Sequence, residues 1–397
     1  MHKSLLPGKK ISFFIPSLQG GGAEKTIMNL ACGLADHGLE IDLVIVDAKG
    51  PFLSDLSPKV RVVDLSASRL LTSLPGLVRY LRREKPTLLF SALDHANVIA
   101  IFARFLSGVS TNIILSVHAP MSQVYALGTL HTKLINKVMP SLIRMSYSKA
   151  CKVVSVSKGV GDDLISNFGL QANKVQTIYN PIINSELYDL SQESISHPWF
   201  EPQQPPVILA VGRLSIEKDY PTLIRAFQRV RQQRLVRLLI LGEGGERSKL
   251  ESLVKALGLG EDVKLHGFVR NPYALMRKAS CFVLPSLFEG FGNVLVEALA
   301  MGCPVVSTDC PTGPTEILDG GKWGTLVPVG DYEAMAVAIL EKLDIDRKDN
   351  SSLLNSYLER FELEVILSQY LDMIIPDNDR GEIMSVKKRA GALSSLE

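Results

Sequence analysis

Glu289 and Glu297 are the two acids whose spacing is best suited to chemistry. Glu289 follows the apolar run 281–285, and a glycine-rich turn, Gly290-Phe291-Gly292-Asn293, separates it from Glu297. A helix that begins in this turn would place Glu297 about one turn in, so both carboxylates can face one crevice. One carboxylate suits the hydroxyl groups of a sugar and the other those of a ribose. The backbone amides of 291–294 suit a phosphate.

Two cations follow the predicted strand 207–211. Arg213 and Lys218 lie in the loop just beyond it. Such cations can hold a diphosphate in the ground state and stabilise the charge that grows on it as a leaving group, as a metal ion does in other enzymes. The same pattern also fits ordinary surface cations.

A run of three glycines, Gly20-Gly21-Gly22, follows the first predicted strand and precedes a helix predicted over 25–37. Glycines let the backbone approach a phosphate closely, and the free N–H groups at a helix start attract an anion. The run lacks the GxGxxG spacing of a dinucleotide fold, and Asp47 is a weak match to the ribose-binding acid of that fold. Packing of a helix onto a sheet is the alternative explanation.

Two doubly wound α/β domains would bring these groups together. Short runs rich in Val, Ile and Leu alternate with amphipathic stretches, the pattern of βα units around a parallel sheet buried on both faces. The carboxyl ends of such strands line the crevice in which ligands bind. The predicted strands are 11–16, 41–47, 61–65, 87–91, 112–117, 153–156 and 175–179, and then 207–211, 237–241, 263–266, 281–285 and 305–308.

The length of 397 residues and the hydrophobic content of 46% support two cores. Breaker residues crowd together between 180 and 206 and set the boundary. We predict a first Rossmann-like domain over 1–185, a linker over 186–206 and a second Rossmann-like domain over 207–352. A helix over 353–375 is expected to pack back on the first domain, and a tail over 376–397 to be disordered.

The charge distribution is uneven along the chain. A net charge of +2 excludes a globally basic nucleic-acid binder. From His95 to Gly161, however, there is no acid. This stretch can attract an anionic membrane surface, at about 1 kcal/mol per cation, or it can be a solvated helix face. Its basic residues are Arg104, Lys133, Lys137, Arg144, Lys149, Lys152 and Lys158.

Cysteine usage and hydropathy predict a cytoplasmic location. The five cysteines are scattered, with no CxxC pair or zinc spacing. The N-terminal segment MHKSLLPGKK lacks the apolar core of a signal peptide, and Arg104 interrupts the most apolar predicted helix before membrane-spanning length. We therefore expect a soluble protein, with peripheral contact at the cytoplasmic membrane face as the hypothesis for the basic stretch.

Taken together, the motifs resemble those of the GT-B-fold retaining glycosyltransferases of glycosyltransferase family 4, whose hallmark is the Glu-x7-Glu pattern. The matching segments span nearly the whole chain in the family's order. They are the GGAE loop, VGRLSIEKDY, LILGEGGER at 239–247, HGFV at 266–269, the Glu289 segment and MGCPVVSTDCPTGPTEIL at 301–318. The segment 310–314 resembles a branch that builds lipid-linked and surface oligosaccharides in bacteria, although Thr315 stands where many relatives carry Arg.

The resemblance implies a role for each matching residue. Arg213 and Lys218 would bind the donor diphosphate, Glu289 the sugar hydroxyls and Glu297 the nucleotide ribose. His118, after the predicted strand 112–117, would lie beside the donor sugar and form the catalytic set with Arg213, Lys218 and Glu289, although a lone histidine is more often structural. The other donor-binding residues would be Gly21, Gly22, Gly212, Gly242, Phe268, Val269, Gly290, Phe291, Gly292, Asn293 and Val294.

Two more residues carry weaker expectations. His266 is expected to pack against its surroundings or to stack on the base, with the backbone of 268–270 lining the base pocket. Glu316 is expected to fix a loop near the sugar. The pair Asp344 and Asp346 spells a metal-like DxD, which we interpret as surface.

The implied reaction moves a hexose or N-acetylhexosamine from a nucleotide diphosphate sugar, UDP-linked in many relatives, to a glycan or lipid-linked acceptor bound by the first domain. The acceptor hydroxyl would attack from the face of the leaving group, while a phosphate oxygen takes its proton. No cofactor, metal ion or nucleic acid is expected to take part.

Three other classes stay open. A nucleotide-sugar epimerase of the same architecture would bind the same donors without passing the sugar to an acceptor. A nicotinamide-dependent dehydrogenase would need a dinucleotide fingerprint that neither half shows. A non-catalytic partner in a polysaccharide assembly complex would be expected to have lost the phosphate-binding cations or the first glutamate, which this chain keeps.

Overall fold

The computed structural model describes residues 10–128, 133–344 and 351–374. The start of the chain, the predicted tail over 376–397 and Asp346 lie outside these ranges. So do residues 129–132 of the basic stretch.

Seven parallel strands form the first sheet in the described part of the chain. Their order is β3-β2-β1-β4-β5-β6-β7, so the strand order reverses between β1 and β4. Strands such as β1 and β5 are buried along nearly their whole length because helices cover both faces. The strands are β1 Lys10–Ile15, β2 Glu40–Ile45, β3 Val60–Asp64, β4 Leu88–Ala92, β5 Asn112–Val117, β6 Lys152–Ser155 and β7 Val175–Thr177.

The helices around this sheet begin and end where the sequence supplies caps. The Ser157 hydroxyl accepts a hydrogen bond from the Val160 amide and starts α6, and Gly169 ends α6 in the left-handed conformation. Gly108 ends α3 in the same way. The helices are α1 Gly22–Asp36, α2 Leu74–Glu84, α3 Asp94–Ser107, α4 Met121–Ala126, α5 Lys133–Tyr147 and α6 Lys158–Phe168.

Six parallel strands form the second sheet among the described residues, in the order β10-β9-β8-β11-β12-β13. Its reversal point lies between β8 and β11. The strands are β8 Val207–Val211, β9 Arg237–Leu241, β10 Val263–Gly267, β11 Cys281–Leu284, β12 Val305–Thr308 and β13 Thr325–Val327. The helices around this sheet are α8 Tyr220–Gln233, α9 Arg247–Ala256, α10 Tyr273–Lys278, α11 Asn293–Ala300, α12 Pro314–Ile317 and α13 Tyr332–Leu343.

The structure confirms two doubly wound sheets and differs from the sequence prediction in three elements. β13 was not predicted. A helix, α7 (Ser185–Ser191), lies where a linker without regular structure was expected, because the Asn184 side chain caps it by accepting from the Leu187 amide. The single helix expected over 353–375 is broken into α14 (Ser351–Leu358), a 3-10 turn (Glu359–Phe361) and α15 (Leu363–Ile374).

The chain crosses between the two sheets twice, and the crossings are bonded to each other. The backbone amides of Ile182 and Ile183 both donate to the Phe361 carbonyl at 3.0 Å, and the Leu363 amide donates to the Ile183 carbonyl at 2.9 Å. Beyond this point α15 packs on α1, where a Cβ on Gly33 would lie only 2.5 Å from Leu367 Cδ1. The end of the described chain therefore belongs to the core of the first sheet, while the limits of the two domains stay a prediction.

Candidate active site

The loops at the carboxyl ends of both sheets face each other. In the first sheet, the glycine run follows β1 and His118 follows β5. In the second, Arg213 and Lys218 follow β8, and the Glu289 turn follows β11. β1, β8 and β11 flank the reversal points of their sheets, where open α/β sheets bind ligands, and β5 lies one strand further along.

Gly290 brings the backbones of the two halves into close contact. A Cβ on this residue would lie 1.8 Å from the His118 carbonyl oxygen, so no other side chain fits there. The Gly290 carbonyl accepts a hydrogen bond from the Ser157 hydroxyl at 2.7 Å. Glycine is therefore required for the second half to contact the first at the point where the predicted histidine stands.

Lys218 and Glu289 form an ion pair inside the crevice. The Lys218 ammonium donates to Glu289 Oε1 at 2.5 Å, and the Ser286 hydroxyl donates to the same oxygen at 2.6 Å. Glu289 is only 8% exposed. A charge-assisted pair in a partly dry site is a stronger electrostatic element than the same pair on the surface.

Arg213 is the exposed cation of the site. Within the described ranges, no side chain forms an ion pair or hydrogen bond with its guanidinium. The guanidinium Nη2 would lie 3.8 Å from a Cβ placed on Gly21, so it faces the glycine run across the crevice. An unpaired guanidinium at this position can take a phosphate through two parallel hydrogen bonds.

The glycine run corrects one expectation. The amides of Gly20 and Gly21, predicted to be free for an anion, donate to the Glu24 carboxylate at 2.8 and 2.9 Å. The helix supplies its own anion because Glu24, at the third position of α1, can reach back to the start of the helix in a capping box. Gly22 still faces the second half, where a Cβ would lie 3.3 Å from Asn293 Nδ2.

Glu297 meets two residues that the sequence analysis missed. Its carboxylate lies 3.4 Å from the Tyr273 hydroxyl and 4.0 Å from the Lys25 ammonium, which also contacts the Tyr273 hydroxyl. Burial raises the pKa of Glu297, and the nearby ammonium and hydroxyl oppose that rise. Lys25 comes from α1 of the first half. No local feature of the sequence signals that Lys25 will reach across to Glu297.

His118 is electrically neutral in the folded protein. Burial lowers its pKa to about 4, and its Nε2 lies 2.9 Å from the Ser116 hydroxyl. A neutral imidazole can share a hydrogen bond with a hydroxyl group without bringing a charge to the site.

The neutral state of His118 predicts a pH dependence of stability. Between pH 4 and 6.5 the unfolded chain binds a proton at this histidine and the folded chain does not. The free energy of unfolding is therefore highest above pH 6.5 and decreases as the pH falls below it. His118→Gln should therefore lose less thermal stability than the wild type between pH 7 and pH 5. His266→Gln, at an exposed histidine, is the matched control. An equal loss in His118→Gln and the wild type would contradict the assignment.

The remaining glycines of the predicted site hold loops against each other. A Cβ on Gly242, whose φ is +146°, would lie 1.9 Å from the Gly212 carbonyl oxygen. Gly292 is the N-cap of α11 at φ +101°. Phe291 is buried and stacks on Tyr179 with ring centroids 5.2 Å apart, so only its backbone can face the crevice.

The other predicted residues occupy the crevice rim. Phe268 is 55% exposed, and its ring lies 3.7 Å from the Cβ position of Gly20. Asn293 accepts a hydrogen bond from the Asn180 side chain at 2.8 Å. Val269 and Val294 are partly buried.

His266 and Glu316 each have a defined partner. The ring of His266 makes an edge contact with His197 at 5.3 Å, as a packing residue does. The Glu316 carboxylate accepts from the amides of Lys158 and Gly159, both at 2.9 Å, and so caps α6 of the opposite half. Thr315 donates to Asp309.

The described residues contain no group of three or more His, Cys, Asp or Glu side chains placed to hold a metal ion. Asp344, the described half of the DxD sequence, is exposed and pairs with Arg234. None of the described helices has both the length and the apolarity needed to cross a bilayer.

Comparisons with known proteins agree with this geometry. The family described as "Glycosyltransferase Family 4" matches residues 20–185, and "Glycosyl transferases group 1" matches residues 205–344. The chain is 32% identical to the N-acetylgalactosamine-N,N'-diacetylbacillosaminyl-diphospho-undecaprenol 4-alpha-N-acetylgalactosaminyltransferase of Campylobacter jejuni, over 85% of this chain and 91% of that protein. It is 27% identical to the lipopolysaccharide core biosynthesis glycosyltransferase LpsE of Rhizobium meliloti, over 89% and 96%.

Solved structures share the fold. The Anabaena protein HepE in complex with UDP and glucose superposes with a TM-score of 0.76 at 23% identity, over 92% of this chain and 99% of that one. Sucrose-phosphate synthase from Thermosynechococcus elongatus gives a TM-score of 0.76 at 22% identity, over 92% and 98%. With both family matches, the similarity to the Campylobacter enzyme and the shared architecture, the chain belongs to glycosyltransferase family 4 and is a glycosyltransferase of the GT-B fold.

Proposed function

We propose that this enzyme moves a hexose or N-acetylhexosamine from a UDP-sugar to a glycan or lipid-linked acceptor, with retention of the anomeric configuration, in bacterial polysaccharide or glycoconjugate biosynthesis. The observation that carries the proposal is the Lys218–Glu289 pair, set in the crevice between two parallel sheets. The Arg213 guanidinium, unpaired among the described residues, faces the glycine run across the same crevice. The names of the Campylobacter and Rhizobium relatives support the biosynthetic setting, and the UDP bound to HepE supports the donor.

The proposed donor site uses cations of the protein in place of a metal ion. Arg213 and Lys218 take the diphosphate and neutralise the charge that develops on it as the bond to the sugar breaks. Glu289 accepts hydrogen bonds from the sugar hydroxyls, and Glu297 accepts them from the ribose. Gly21, Gly22 and the Gly290 to Val294 backbone line the phosphates and the sugar. The reaction then needs no divalent cation.

Retention follows from attack on the face that the diphosphate leaves. The C1–O bond to the β-phosphate breaks, the acceptor oxygen bonds to C1, and the acceptor proton passes to an oxygen of the departing diphosphate. No protein nucleophile takes part. His118, neutral and beside the Gly290 contact, orients a hydroxyl of the donor sugar.

The first experiment is a binding screen of the purified protein against UDP-, GDP- and ADP-sugars and NAD, with EDTA present throughout. The expected result is selective binding of one UDP-sugar. Binding of NAD alone would overturn the proposal in favour of a dehydrogenase. Conversion of the donor to its epimer without any acceptor would indicate an epimerase, and donor binding without transfer to any acceptor would indicate a non-catalytic partner.

Lys25 is expected to tighten nucleotide binding through Glu297. A carboxylate that accepts hydrogen bonds from ribose must be ionised, and the Lys25 ammonium at 4.0 Å opposes the rise that burial imposes on the pKa of Glu297. Lys25→Met should weaken UDP binding roughly fivefold at pH 7, and the deficit should shrink as the pH rises. Calorimetric titration of UDP measures this, with Lys85→Met as the control at an exposed lysine. Tighter UDP binding in Lys25→Met would mean that Lys25 blocks the ribose site instead.

We also propose peripheral contact with an anionic membrane through α3 and α5, which pack against each other. Phe105 is 80% exposed on α3 and Met145 is 56% exposed on α5, and exposed Lys137 and Lys149 accompany them. Apolar side chains among cations fit a surface of anionic headgroups. The Campylobacter relative's name includes a diphospho-undecaprenol, a membrane lipid.

Binding to vesicles tests the membrane contact. The protein should bind phosphatidylglycerol vesicles at low salt, and binding should fall steeply by about 0.5 M salt because the charges are screened. Phe105→Ser should weaken it further, whereas Val337→Ser, at an exposed valine of the second half, should not. Equal binding at both salt concentrations, or none to anionic vesicles, would contradict the proposal.

A further inference from the structure

A second group of polar side chains lies at the carboxyl edge of the first sheet, outside the donor site. We call it the Asp94 pocket and define it as Asp94, Asn97, Tyr125 and Tyr147. Asp94 and Asn97 lie at the start of α3, Tyr125 on α4 and Tyr147 at the end of α5. None of them belongs to a motif used above.

The pocket adjoins His118. In the parallel pairing of β4 with β5, Ala92 lies opposite Ser116. Asp94 and His118 each follow those partners by two residues, so they leave neighbouring strands at the same level, where strand spacing is about 4.8 Å. Asp94, the partly exposed member at the strand end, therefore lies next to His118 at the carboxyl edge of the first sheet, with Asn97 and Tyr147 buried behind it.

The backbone that carries Asp94 is strained. Leu93, immediately before it, has φ +77° and ψ +141°, a conformation that non-glycine residues rarely adopt. Such strain persists only where the surrounding structure enforces it, and it is concentrated at functional sites.

Hydrogen-bonding groups in the pocket lack partners. In the described part of the chain, Asp94 forms no ion pair, and the only hydrogen bond that its carboxylate accepts is from its own backbone amide. Among the described residues, neither the Tyr125 hydroxyl nor the Asn97 Oδ1 has a hydrogen-bond partner, and both atoms are buried. The other end of the fully buried Asn97 side chain is paired, because its Nδ2 donates to the Ser116 carbonyl and to the Tyr147 hydroxyl. Buried polar groups are almost always paired. A ligand that both donates and accepts hydrogen bonds would pair these groups.

Simple capping of α3 does not explain Asp94. An acid that serves only a helix start is stabilised in its ionised form, and its pKa falls. Here burial outweighs the backbone hydrogen bond and raises the pKa of Asp94 to about 6. The ionised side chain thus opposes folding, as expected of a group kept for binding.

We propose that the Asp94 pocket holds the terminal sugar ring of the acceptor, with the carboxylate accepting hydrogen bonds from the ring hydroxyls and the Tyr125 hydroxyl completing the set. The inference rests on the proposed function, because it names what the first half binds in that reaction. A carboxylate repels a diphosphate, so the neutral sugar end enters the pocket. Any diphosphate of a lipid-linked acceptor points away, towards the basic stretch.

The test titrates octyl glycosides of N-acetylgalactosamine, N-acetylglucosamine, galactose and glucose into the protein, with and without saturating UDP. At least one glycoside should bind the wild type. Asp94→Asn should weaken it about tenfold or more, and Tyr125→Phe about threefold, because charged hydrogen bonds contribute more than neutral ones. UDP affinity should not change in either variant. Asp189→Asn makes the same charge change on an exposed helix face and is the control.

Thermal unfolding separates binding from folding. Asp94→Asn should be at least as stable as the wild type, because it removes a carboxylate that burial disfavours. The proposal is overturned if no glycoside binds the wild type, if Asp94→Asn binds the glycoside as tightly as the wild type, or if UDP affinity falls by the same factor. The two proposals can fail separately. If the wild type does not bind UDP but Asp94→Asn still loses glycoside binding, the proposed donor is refuted and the Asp94 pocket is supported.

Discussion

Glu289→Gln and Lys218→Met should each lower kcat/KM for sugar transfer by roughly 100-fold or more. The two side chains meet at 2.5 Å, and Lys218 is the cation held closest to the predicted sugar site. Removing Lys218 leaves the departing diphosphate without that charge. Removing the Glu289 charge weakens its hydrogen bonds to the sugar hydroxyls and the ion pair that positions Lys218. The measurement is initial-rate transfer with a UDP-sugar. Glutamine is chosen because it can still accept the Ser286 hydrogen bond.

A double-mutant cycle shows whether the pair acts as one unit. The Glu289→Gln, Lys218→Met double variant should lose little more than either single variant, because each single change already breaks the pair. Lys255→Met, at an exposed lysine of the second half, should transfer at the wild-type rate. Unchanged transfer in both single variants would show that the site has been assigned to the wrong residues, even though the family stands.

Gly290→Ala should abolish most activity while both halves stay folded. The added Cβ would lie 1.8 Å from the His118 carbonyl oxygen and 3.2 Å from Ala119 Cα, and backbone cannot move aside as a flexible side chain can. The two halves must then separate at this contact, and a displacement of about 1 Å is enough to lower the rate roughly 100-fold. Transfer kinetics and the thermal midpoint are measured together.

The matched control is Gly245→Ala. A Cβ on Gly245 meets nothing within 4 Å, and its φ is not in the left-handed region. This variant should match the wild type in rate and stability. If Gly290→Ala were to retain wild-type transfer, the crevice would not need the close contact seen at His118.

The two sheets could be predicted because each strand leaves a local signal. Buried parallel strands are short apolar runs, and twelve of them were predicted close to their observed positions. β13 (Thr325–Val327) was missed because Pro328 ends its apolar run after Leu326 and Val327, whereas the run of β7 continues through Ile178 and Tyr179. The break at Glu359–Phe361 escaped because Phe361 is apolar and fits the helix pattern, while what stops the helix is its contact with the distant Ile182 and Ile183.

Contacts between the halves account for the unpredicted part of the site. The sequence indicated Glu297 but not Lys25, because a lysine one turn into α1 gives no sign that it will reach α10 and α11 of the other half. Glu24 illustrates the opposite case. A glutamate three residues into a helix is the local signal of a capping box, and that signal explains why the Gly20 and Gly21 amides are occupied. Asp94 was missed for a different reason, because the amino-acid sequence does not reveal its burial or the backbone strain at the preceding residue.

The two segments that connect the halves are hydrogen-bonded to each other at Ile182, Ile183 and Phe361, as in a hinge. The second half is inserted between two pieces of the first and is attached at both of its ends, and these attachments lie side by side. Sliding of one half along the other would shear three backbone hydrogen bonds, whereas rotation about the paired crossings preserves them. These hydrogen bonds therefore favour rotation over sliding when the crevice opens. In the proposed reaction, such a rotation would bring the donor and the acceptor together.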